Sequence, residues 1–542
     1  MRFHRHRSPV WAAAAFAAVA CLGAATLSPQ AGAVGNPVAA SQVASAEEDD
    51  GTDCPEPGPG TLPASPLLPD PFMKMDGTRI SDTSEWRCRR AEIKKLAERH
   101  VYGEKPGKPD TVTGTVSTSR ISVSVTDGGR SAGFSASVDL PSGPGPFPAV
   151  VVLGGFGADT STIKASGAAV ISYDPFEVGR EGTPRNNKQG AFYSIYGSSS
   201  DTGLLMAWAW GVSRIIDVLE QADGSILRAE ATGVTGCSRY GKGAFVSGAF
   251  DQRIALTMPI ESGSAGAPVF RGVAGENGAQ PLSSAYGEQP WLGDAFGSFT
   301  SNPAALPVDT HEIVGMVAPR GLFLMENPHV DWLGARSGSV AALGGAEVYK
   351  ALGAGDNISY WSDIQDGTHC AARSEWRTPL QQHIRKYLLE TGDDPGVFRI
   401  SSSKSGNLAQ WRDWRTPALT DTEGDTGGNT GGGTGGDTGG SDDGCTASYR
   451  NNNSWSGGFQ GEVSVRNNGT RALNGWTVGM TLAPGQSFSN VWDGQNTGSS
   501  GSITVRNASW NGTVSPGATV SFGFVVTGSS SAEPGNLTCT TS

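Results

Sequence analysis

The sequence predicts a three-layer α/β domain followed by an all-β sandwich. From about residue 66 to residue 418, apolar runs with the length of buried strands alternate with helical patterns. Residues 445–542 instead hold short runs of alternating apolar and polar residues, separated by turn residues and without helical periodicity. Residues 419–444 lie between these regions, and the 25 residues from 420 include eleven Gly and six acidic residues. This composition is typical of a flexible linker, so we expect two folded regions joined by a tether.

Composition narrows the class of protein. The chain has 542 residues, room for about three domains of ordinary size. Hydrophobic residues make up 37% of it, which is enough to build a core and excludes a wholly disordered chain. The formal net charge is −12, which excludes a general nucleic-acid-binding protein because such proteins need a basic face.

The N-terminus has the pattern of an export signal. Arg2, Arg5 and Arg7 precede an apolar run at 10–27, and small residues at 31–33 suit a cleavage site. We therefore predict a secretory signal peptide at 1–33 and an extracellular protein. The alternative is a membrane anchor, which the short, Ala-rich run disfavours, and no later stretch is apolar enough to span a bilayer. Residues 34–65 are rich in Ala, Ser, Gly and Pro around an acidic cluster at 47–50, which predicts a disordered segment.

The cysteine count predicts disulfides. Cys21 leaves with the signal peptide, and the six that remain are Cys54, Cys88, Cys237, Cys370, Cys445 and Cys539. An even number in an exported protein indicates three disulfides. No pair has the CxxC spacing of a zinc site, so we expect no structural metal. Cys445 and Cys539 stand at the two ends of the β region, where one disulfide would tie its termini together.

The elements can be placed in order along the chain. In the α/β region we predict strands at 148–153, 168–173, 231–235, 254–259, 320–325 and 358–361, and helices at 202–221, after 237 and at 379–389. In the β region we predict strands at 461–466, 476–482, 502–506 and 519–526. This alternation favours a mostly parallel sheet, whose chemistry lies at the carboxyl ends of its strands.

Ser238 is the candidate nucleophile. It lies in GCSRYG, at a predicted strand-to-helix turn where α/β hydrolases hold a serine on a strained elbow. The second Gly comes one position later than in the usual G-x-S-x-G pattern. The alternative is a serine that caps the helix, but capping does not explain Arg239 and Lys242 beside it. We therefore predict an α/β hydrolase.

A serine nucleophile needs a base and an acid. His369 lies in a loop after the strand at 358–361, where the base is expected in the order Ser, acid, His. Cys237 and Cys370 each adjoin one of these two residues, so a disulfide between them would hold nucleophile and base together. Two carboxylates could orient the base: Glu261 after the strand at 254–259 and Asp331 after the strand at 320–325.

Four motifs then point to a family. GCSRYGKG, PIESG, NPHVDWLG and DGTHC, in this order, resemble glucuronoyl esterases of carbohydrate esterase family 15, and the resemblance runs from about Cys54 to Arg412. It implies a cofactor-free, metal-independent serine esterase that cleaves the bond between 4-O-methyl-D-glucuronic acid branches of glucuronoxylan and lignin alcohols. The alternatives are another xylan-active esterase, such as an acetyl-xylan type, and a catalytically inactive carbohydrate-binding protein.

The resemblance assigns roles by motif. It implies Ser238 as nucleophile, His369 as base and Glu261 as acid, with Asp331 as a substitute for the acid. Arg239 matches the arginine that stabilises the oxyanion. The positions that match uronate-binding residues are Lys242, Gln280, Glu288 and Trp332. Two disulfides of the family, Cys54–Cys88 and Cys237–Cys370, have their cysteines here.

The C-terminal region resembles family 2 carbohydrate-binding modules. The resemblance rests on SWSGGFQGEVSVRN, LNGWTV, NASWNGTVSPGATVSFGF and the two terminal cysteines. It implies that Trp455, Trp492 and Trp510 form an exposed strip that stacks on the sugar rings of cellulose, while Trp476 is buried. We therefore expect a secreted monomer whose partners are the xylan ester and cellulose, without nucleic acid or membrane.

Overall fold

The structure is a computed structural model that describes residues 47–56, 58, 63–420, 444–455, 457–469, 471–508, 511–515, 518–529 and 533–541. At 451–455 the description is confined to the backbone. The predicted signal peptide at 1–33, the linker at 421–443 and Trp510 lie outside the described residues, as does the side chain of Trp455. Within these ranges, none of the helices has the length and apolar character needed to cross a bilayer.

The α/β region is built on one large sheet. Its strands are β1 (Thr111–Val116), β2 (Arg120–Asp127), β3 (Arg130–Asp139), β4 (Phe147–Leu153), β5 (Ala169–Tyr173), β6 (Leu227–Cys237), β7 (Ile254–Ile260), β8 (Gly321–Met325), β9 (Ile358–Trp361) and β10 (Phe398–Arg399). Their order across the sheet is β1-β2-β3-β5-β4-β6-β7-β8-β9-β10. The sheet is parallel from β5 to β10 and antiparallel from β1 through β3 to β5. This confirms the mostly parallel sheet that the sequence predicts.

Helices connect the strands from β4 to β10. The α-helices are α1 (Trp86–Ala97), α2 (Thr160–Ala165), α3 (Ala191–Tyr196), α4 (Leu204–Gln221), α5 (Arg239–Phe250), α6 (Phe270–Val273), α7 (Leu282–Glu288), α8 (Thr310–Val317), α9 (Ala335–Ala351) and α10 (Ser374–Tyr387). A π-helical turn covers Glu98–Tyr102, and 3-10 helices cover Thr83–Glu85, Pro175–Glu177, Asp294–Phe299, Pro303–Ala305, Asp331–Leu333, Gly355–Asn357, Ser402–Lys404 and Leu408–Gln410.

The three layers can be seen in the side chains of β4. All seven of its residues are buried, as expected of a strand covered on both faces. Val151 belongs to the core that includes the apolar residues of α4, α5, α8 and α9, whereas Val150 and Val152 belong to a second core with α2 and α10. Successive side chains of a strand point to opposite faces, so helices cover both faces of the sheet. The three-layer prediction is confirmed.

Four neighbouring strands end in one row. The sheet register pairs Cys237 of β6 with Ile260 of β7, Ile260 with Met325 of β8, and Met325 with Trp361 of β9. The residues that follow β6, β7 and β8 are Ser238, Glu261 and Glu326. Because parallel strands present their carboxyl ends at the same edge, polar side chains from distant parts of the chain meet there.

The start of the described chain corrects one prediction. Residues 47–50 fall in the segment predicted to be disordered, but Glu48 lies in ion pairs with Lys105 (2.7 Å), Arg214 and Arg253 (3.6 Å). Burial raises the pKa of Glu48, but these three charges outweigh burial and hold it well below its usual range. Composition suggested disorder because the partners of the acidic cluster are far away in sequence.

The C-terminal β region is a sandwich of antiparallel strands. They are β11 (Cys445–Trp455), β12 (Gly458–Asn467), β13 (Trp476–Thr481), β14 (Ser487–Trp492), β15 (Gly494–Thr497), β16 (Ser502–Asn507), β17 (Thr519–Thr527) and β18 (Gly535–Thr541). Among the residues described for this region, they form two four-stranded sheets, β11-β12-β17-β14 and β15-β16-β13-β18. The fully buried Trp476 stacks on Phe522 with ring centroids 5.6 Å apart, so its predicted place in the core is confirmed.

Candidate active site

Ser238 stands on a tight turn between β6 and α5. Its backbone has φ 59° and ψ −125°, and its amide donates to the carbonyl of Ile260 at 3.0 Å. A Cβ at Gly236 would lie 2.2 Å from the carbonyl oxygen of Tyr240, and one at Gly241 would lie 2.4 Å from that of Ile260. The second glycine is therefore needed at 241, where α5 approaches β7. This explains why the motif departs from G-x-S-x-G.

His369 and Glu261 form a hydrogen-bonded pair. Nδ1 of His369 donates to Oε2 of Glu261 at 2.6 Å, and the same oxygen accepts from the main-chain N–H of Cys370 at 2.9 Å. Glu261 is fully buried directly after β7. With Nδ1 bound to the carboxylate, Nε2 is the ring nitrogen that remains for proton exchange with a nucleophile.

A disulfide joins the neighbours of Ser238 and His369. Cys237 and Cys370 are bonded, with their Cα atoms 5.9 Å apart, and they adjoin Ser238 and His369. The other two pairings are Cys54–Cys88 and Cys445–Cys539, so all three disulfide predictions are confirmed. Cys237, Glu261 and Cys370 have donor atoms close enough to hold a metal. However, both sulfurs are already in the disulfide and the carboxylate binds His369, so this cluster does not suit a cation.

Arg373 contacts the other carboxylate oxygen of Glu261. Its Nη2 lies 2.9 Å from Oε1 of Glu261, in an ion pair whose side chains are 1% and 0% exposed. The same guanidinium donates to the carbonyls of Thr368 and Ala371, at 2.8 and 2.9 Å. Arg373 therefore fixes both the carboxylate and the loop that carries His369. Sequence analysis missed this residue, because an arginine before a helix has no motif that marks it.

Asp331, the second candidate acid, contacts Lys404 rather than His369. Asp331 is exposed and its Oδ1 accepts from Lys404 at 2.8 Å, an interaction that lowers the pKa of Asp331 through the hydrogen bond and the charge. The carboxylate that directly follows β8 is Glu326, which is 1% exposed. Burial, and next the charge of Glu261, raise the pKa of Glu326 to about 8. Sequence analysis placed the end of this strand at residue 325 but missed Glu326, because the candidate acid was sought in the loop that follows, at Asp331.

The four residues matched to uronate binding come together beside the His–Glu pair. The side-chain Nε2 of Gln280 donates to Oε2 of Glu288 at 2.8 Å, and the main-chain N–H of Gln280 donates to the carbonyl of Trp332 at 3.1 Å. The indole of Trp332 is 44% exposed and meets the ring of His369 edge-on at 4.7 Å. Lys242 is buried and donates to the carbonyl of Ser262. Burial lowers the pKa of Lys242 to about 8, against the opposing effect of the charge of Glu288.

The remaining histidines after the elbow are held in structural contacts. His311 and His383 are fully buried, and burial lowers the pKa of each to about 4. Nε2 of His329 lies 2.9 Å from the carbonyl oxygen of Ile364. Among these residues only His369 contacts a carboxylate next to the elbow serine.

In the β region, Trp492 lies at the surface. It is 36% exposed and its indole covers Gly523, where a Cβ would lie 2.1 Å from the ring. The other two members of the predicted strip are the side chain of Trp455 and Trp510, which the structure does not describe. Trp492 is therefore the one predicted cellulose-contacting residue whose surroundings are known.

Fold and site together define an α/β hydrolase with a serine at the elbow. Comparison with known proteins agrees with this class. The family model described as "Glucuronyl esterase, fungi" matches residues 123–353, and the one described as "Cellulose binding domain" matches residues 445–542.

Curated relatives match about two thirds of the chain. The 4-O-methyl-glucuronoyl methylesterase of Hypocrea jecorina is 37% identical over 67% of this chain and 78% of its own length. The enzyme of the same name from Thermothelomyces thermophilus is 39% identical over 66% of this chain and 89% of its own length. The chain belongs to the glucuronoyl esterase family and carries a cellulose-binding domain.

Solved structures of glucuronoyl esterases are similar to this chain in fold. The glucuronoyl esterase catalytic domain from Hypocrea jecorina has a TM-score of 0.62 and 35% identity, covering 67% of this chain and 100% of the other. A mutant of the Sporotrichum thermophile esterase, in complex with methyl 4-O-methyl-β-D-glucopyranuronate, has a TM-score of 0.61 and 37% identity over 68% and 100%. A family 15 glucuronoyl esterase from Caldicellulosiruptor kristjansonii has a TM-score of 0.56 and 32% identity over 67% and 98%.

Proposed function

We propose that this chain hydrolyses esters of 4-O-methyl-D-glucuronic acid, with Ser238 as nucleophile, His369 as base and Glu261 as acid. The observation that carries the proposal is the 2.6 Å contact from Nδ1 of His369 to Glu261. The disulfide between Cys237 and Cys370 holds this pair close to Ser238, because the two cysteines adjoin Ser238 and His369. The curated relatives bear this activity in their names, and one solved relative holds a methyl glucuronate ester.

The proposed reaction has two halves. Nε2 of His369 takes the proton of the Ser238 hydroxyl as Oγ attacks the ester carbonyl, and Glu261 stabilises the imidazolium that forms. The tetrahedral intermediate then collapses, the alcohol oxygen takes the proton from His369, and an acyl-enzyme remains. Water, deprotonated by the same histidine, then attacks the acyl carbon. His369 returns this proton to Oγ of Ser238 as the acyl bond breaks, which releases the uronic acid and restores the serine.

The negative charge that develops on the carbonyl oxygen in the tetrahedral intermediate needs hydrogen-bond donors. Arg239 is the first residue of α5, and the first N–H groups of a helix have no partner within the helix. Its amide and its guanidinium are therefore the donors that we assign to the oxyanion. The uronate ring would then lie against Trp332, with its hydroxyls bound by Lys242, Gln280 and Glu288.

The alcohol part of the substrate is proposed to be aromatic, as in lignin. Phe156 follows β4, its ring is 62% exposed, and its carbonyl accepts from the amide of Cys237 at 2.8 Å. The ring stacks on Tyr240 at 6.4 Å with an angle of 12° between the planes. This apolar surface next to the elbow suits an aromatic leaving group.

Delivery to the substrate is assigned to the other segments. The signal peptide at 1–33 would export a monomeric enzyme into the medium. The domain at 445–542 would bind cellulose through Trp492 with Trp455 and Trp510. The linker at 419–444 would then keep the α/β domain at 66–418, with its disulfide arm from Cys54, at high local concentration near the plant cell wall. Cellulose pull-down of Trp492→Ala tests the binding, and an N-terminus at Val34 in secreted protein tests the export.

Kinetics on methyl and benzyl glucuronate esters test the chemistry. We expect Ser238→Ala and Glu261→Ala to lose most of the activity, and Asp331→Ala to keep it because Asp331 faces Lys404. Equal losses in the two carboxylate variants would contradict the assignment of Glu261. Activity on acetylated xylan but not on glucuronate esters would establish an acetyl-xylan esterase instead, and no hydrolysis by the unaltered chain would indicate an inactive carbohydrate-binding protein.

A further inference from the structure

Arg239 is a partly exposed side chain whose position depends on a partner. It adjoins Ser238, and 41% of its side chain is open to solvent, so a guanidinium on a flexible stem would sample many positions there. Its Nη1 instead lies 2.6 Å from Oε2 of Glu181. The arginine is thereby tied to one wall of the site.

Glu181 is itself fixed on a second partner. Its Oε1 accepts from Nε1 of Trp291 at 2.6 Å, and the two side chains are 7% and 3% exposed. The backbone next to Glu181 is also anchored, because the amide of Gly182 donates to Oε1 of Gln289 at 2.8 Å. One carboxylate oxygen of Glu181 therefore accepts from Arg239 and the other accepts from Trp291. The Gly182–Gln289 hydrogen bond attaches the segment of Glu181 to the loop that carries Trp291.

The same wall faces a second cation of the site. The indole of Trp291 lies 5.3 Å from Nζ of Lys242 and 6.0 Å from the Cζ of Arg239. Glu181 and Trp291 thus link the residue assigned to the oxyanion with one assigned to the sugar.

We propose that Glu181 is a positioning residue for this esterase: through its contacts with Arg239 and Trp291 it holds the guanidinium of Arg239 where the oxyanion forms. The proposal rests on the proposed function, because it requires Arg239 to stabilise that charge. Positioned donors accelerate a reaction since they need no reorganisation when the charge develops.

Substitution by glutamine separates this role from mere packing. Glu181→Gln keeps the size of the side chain, but its amide nitrogen must face one of two donors, so either the Arg239 or the Trp291 contact is lost. Misplacing a catalytic group by about 1 Å costs on the order of 100-fold in rate. We expect kcat on methyl glucuronate ester to fall by about 10- to 100-fold, with KM changed by less than about threefold.

A double-mutant cycle on the full chain tests the proposal. In an Arg239→Gln background, adding Glu181→Gln should change kcat by less than about twofold, because the group being positioned is already gone. Glu177→Gln is the matched control, since Glu177 accepts from the amide of Ser135 and not from Arg239, and it should keep the activity of the unaltered chain.

The outcomes are distinct. The same rate loss in both backgrounds, or no loss from Glu181→Gln alone, overturns the positioning role. If Glu181→Gln melts below the assay temperature, Glu181→Asp enters the same cycle and is judged by the same two criteria. Failure of the proposed function is a different result, in which the unaltered chain has no activity on glucuronate esters or Ser238→Ala retains it.

Discussion

The buried carboxyl of Glu326 makes a sharp prediction about stability and pH. It lies directly after β8, is 1% exposed, and accepts a long hydrogen bond from the hydroxyl of Ser262 at 3.4 Å. Burial and the charge of Glu261 raise the pKa of Glu326 to about 8, although the charge of Lys242 opposes them. We therefore expect Glu326 to be protonated in the folded protein at neutral pH.

The sign of the effect follows from linkage. The unfolded carboxyl has a pKa near 4.5, so between there and about pH 8 the folded state binds more protons than the unfolded state. The stability contributed by this group is fully present below about pH 4.5 and is lost as the pH rises through 8. At 1.36 kcal/mol per pKa unit, the loss is about 4–5 kcal/mol.

Glu326→Gln replaces the neutral acid by a neutral amide of the same shape. We expect its free energy of unfolding to lie within about 1 kcal/mol of the unaltered protein at pH 5 and to exceed it by about 3–5 kcal/mol at pH 9, where the carboxyl must ionise in the core. Urea unfolding at the two pH values measures both differences.

Asp331→Asn is the control. Asp331 is exposed and its pKa is lowered by Lys404, so it is ionised at both pH values and its substitution should have the same effect at pH 5 and pH 9. A difference between Glu326→Gln and the unaltered protein that does not change with pH would refute the argument.

Three further predictions concern the site and its supports. Arg373→Gln should lower kcat and cost about 3–5 kcal/mol of unfolding free energy, because it leaves a buried carboxylate unpaired; kinetics and urea unfolding measure both. Replacing Cys237 and Cys370 by Ala opens a loop with a separation of 133 residues and should cost about 5 kcal/mol, against about 4 for the separation of 34 at Cys54–Cys88. A reversed ranking in urea unfolding would contradict this. The KM for glucuronate esters should rise above pH 8 as Lys242 loses its proton, and Lys242→Met should abolish that rise.

Motifs explain how much of the site the sequence could predict. Ser238, Glu261 and His369 stand directly after strand-like runs or in a recognisable loop, so position along the chain marks them. The structure places Glu261, rather than Asp331, against His369. Sequence left that choice open, because both carboxylates follow strands and only their direction in space separates them.

Residues that act through distant partners could not be predicted. Glu181 and Arg239 are 58 positions apart, and Glu48 and Arg214 are 166 apart. A charge pair of this kind has no local pattern, because its value comes from burial and from a partner that only the fold supplies. The strands β1 to β3 and the helix α9 were missed for a related reason: their Gly, Ser and Thr weaken the apolar periodicity on which such predictions depend.

At the elbow, the residue that would give the most stable backbone differs from the residue that hydrolysis is proposed to need. A backbone with φ of 59° suits glycine and costs an ordinary residue about 1 kcal/mol or more. Directed evolution for heat resistance alone would therefore accept Ser238→Gly and yield a more stable protein that lacks the proposed nucleophile. Any screen for improved variants of this enzyme has to measure hydrolysis in every round. At this position, selection for survival on heating favours glycine, whereas selection for turnover favours serine.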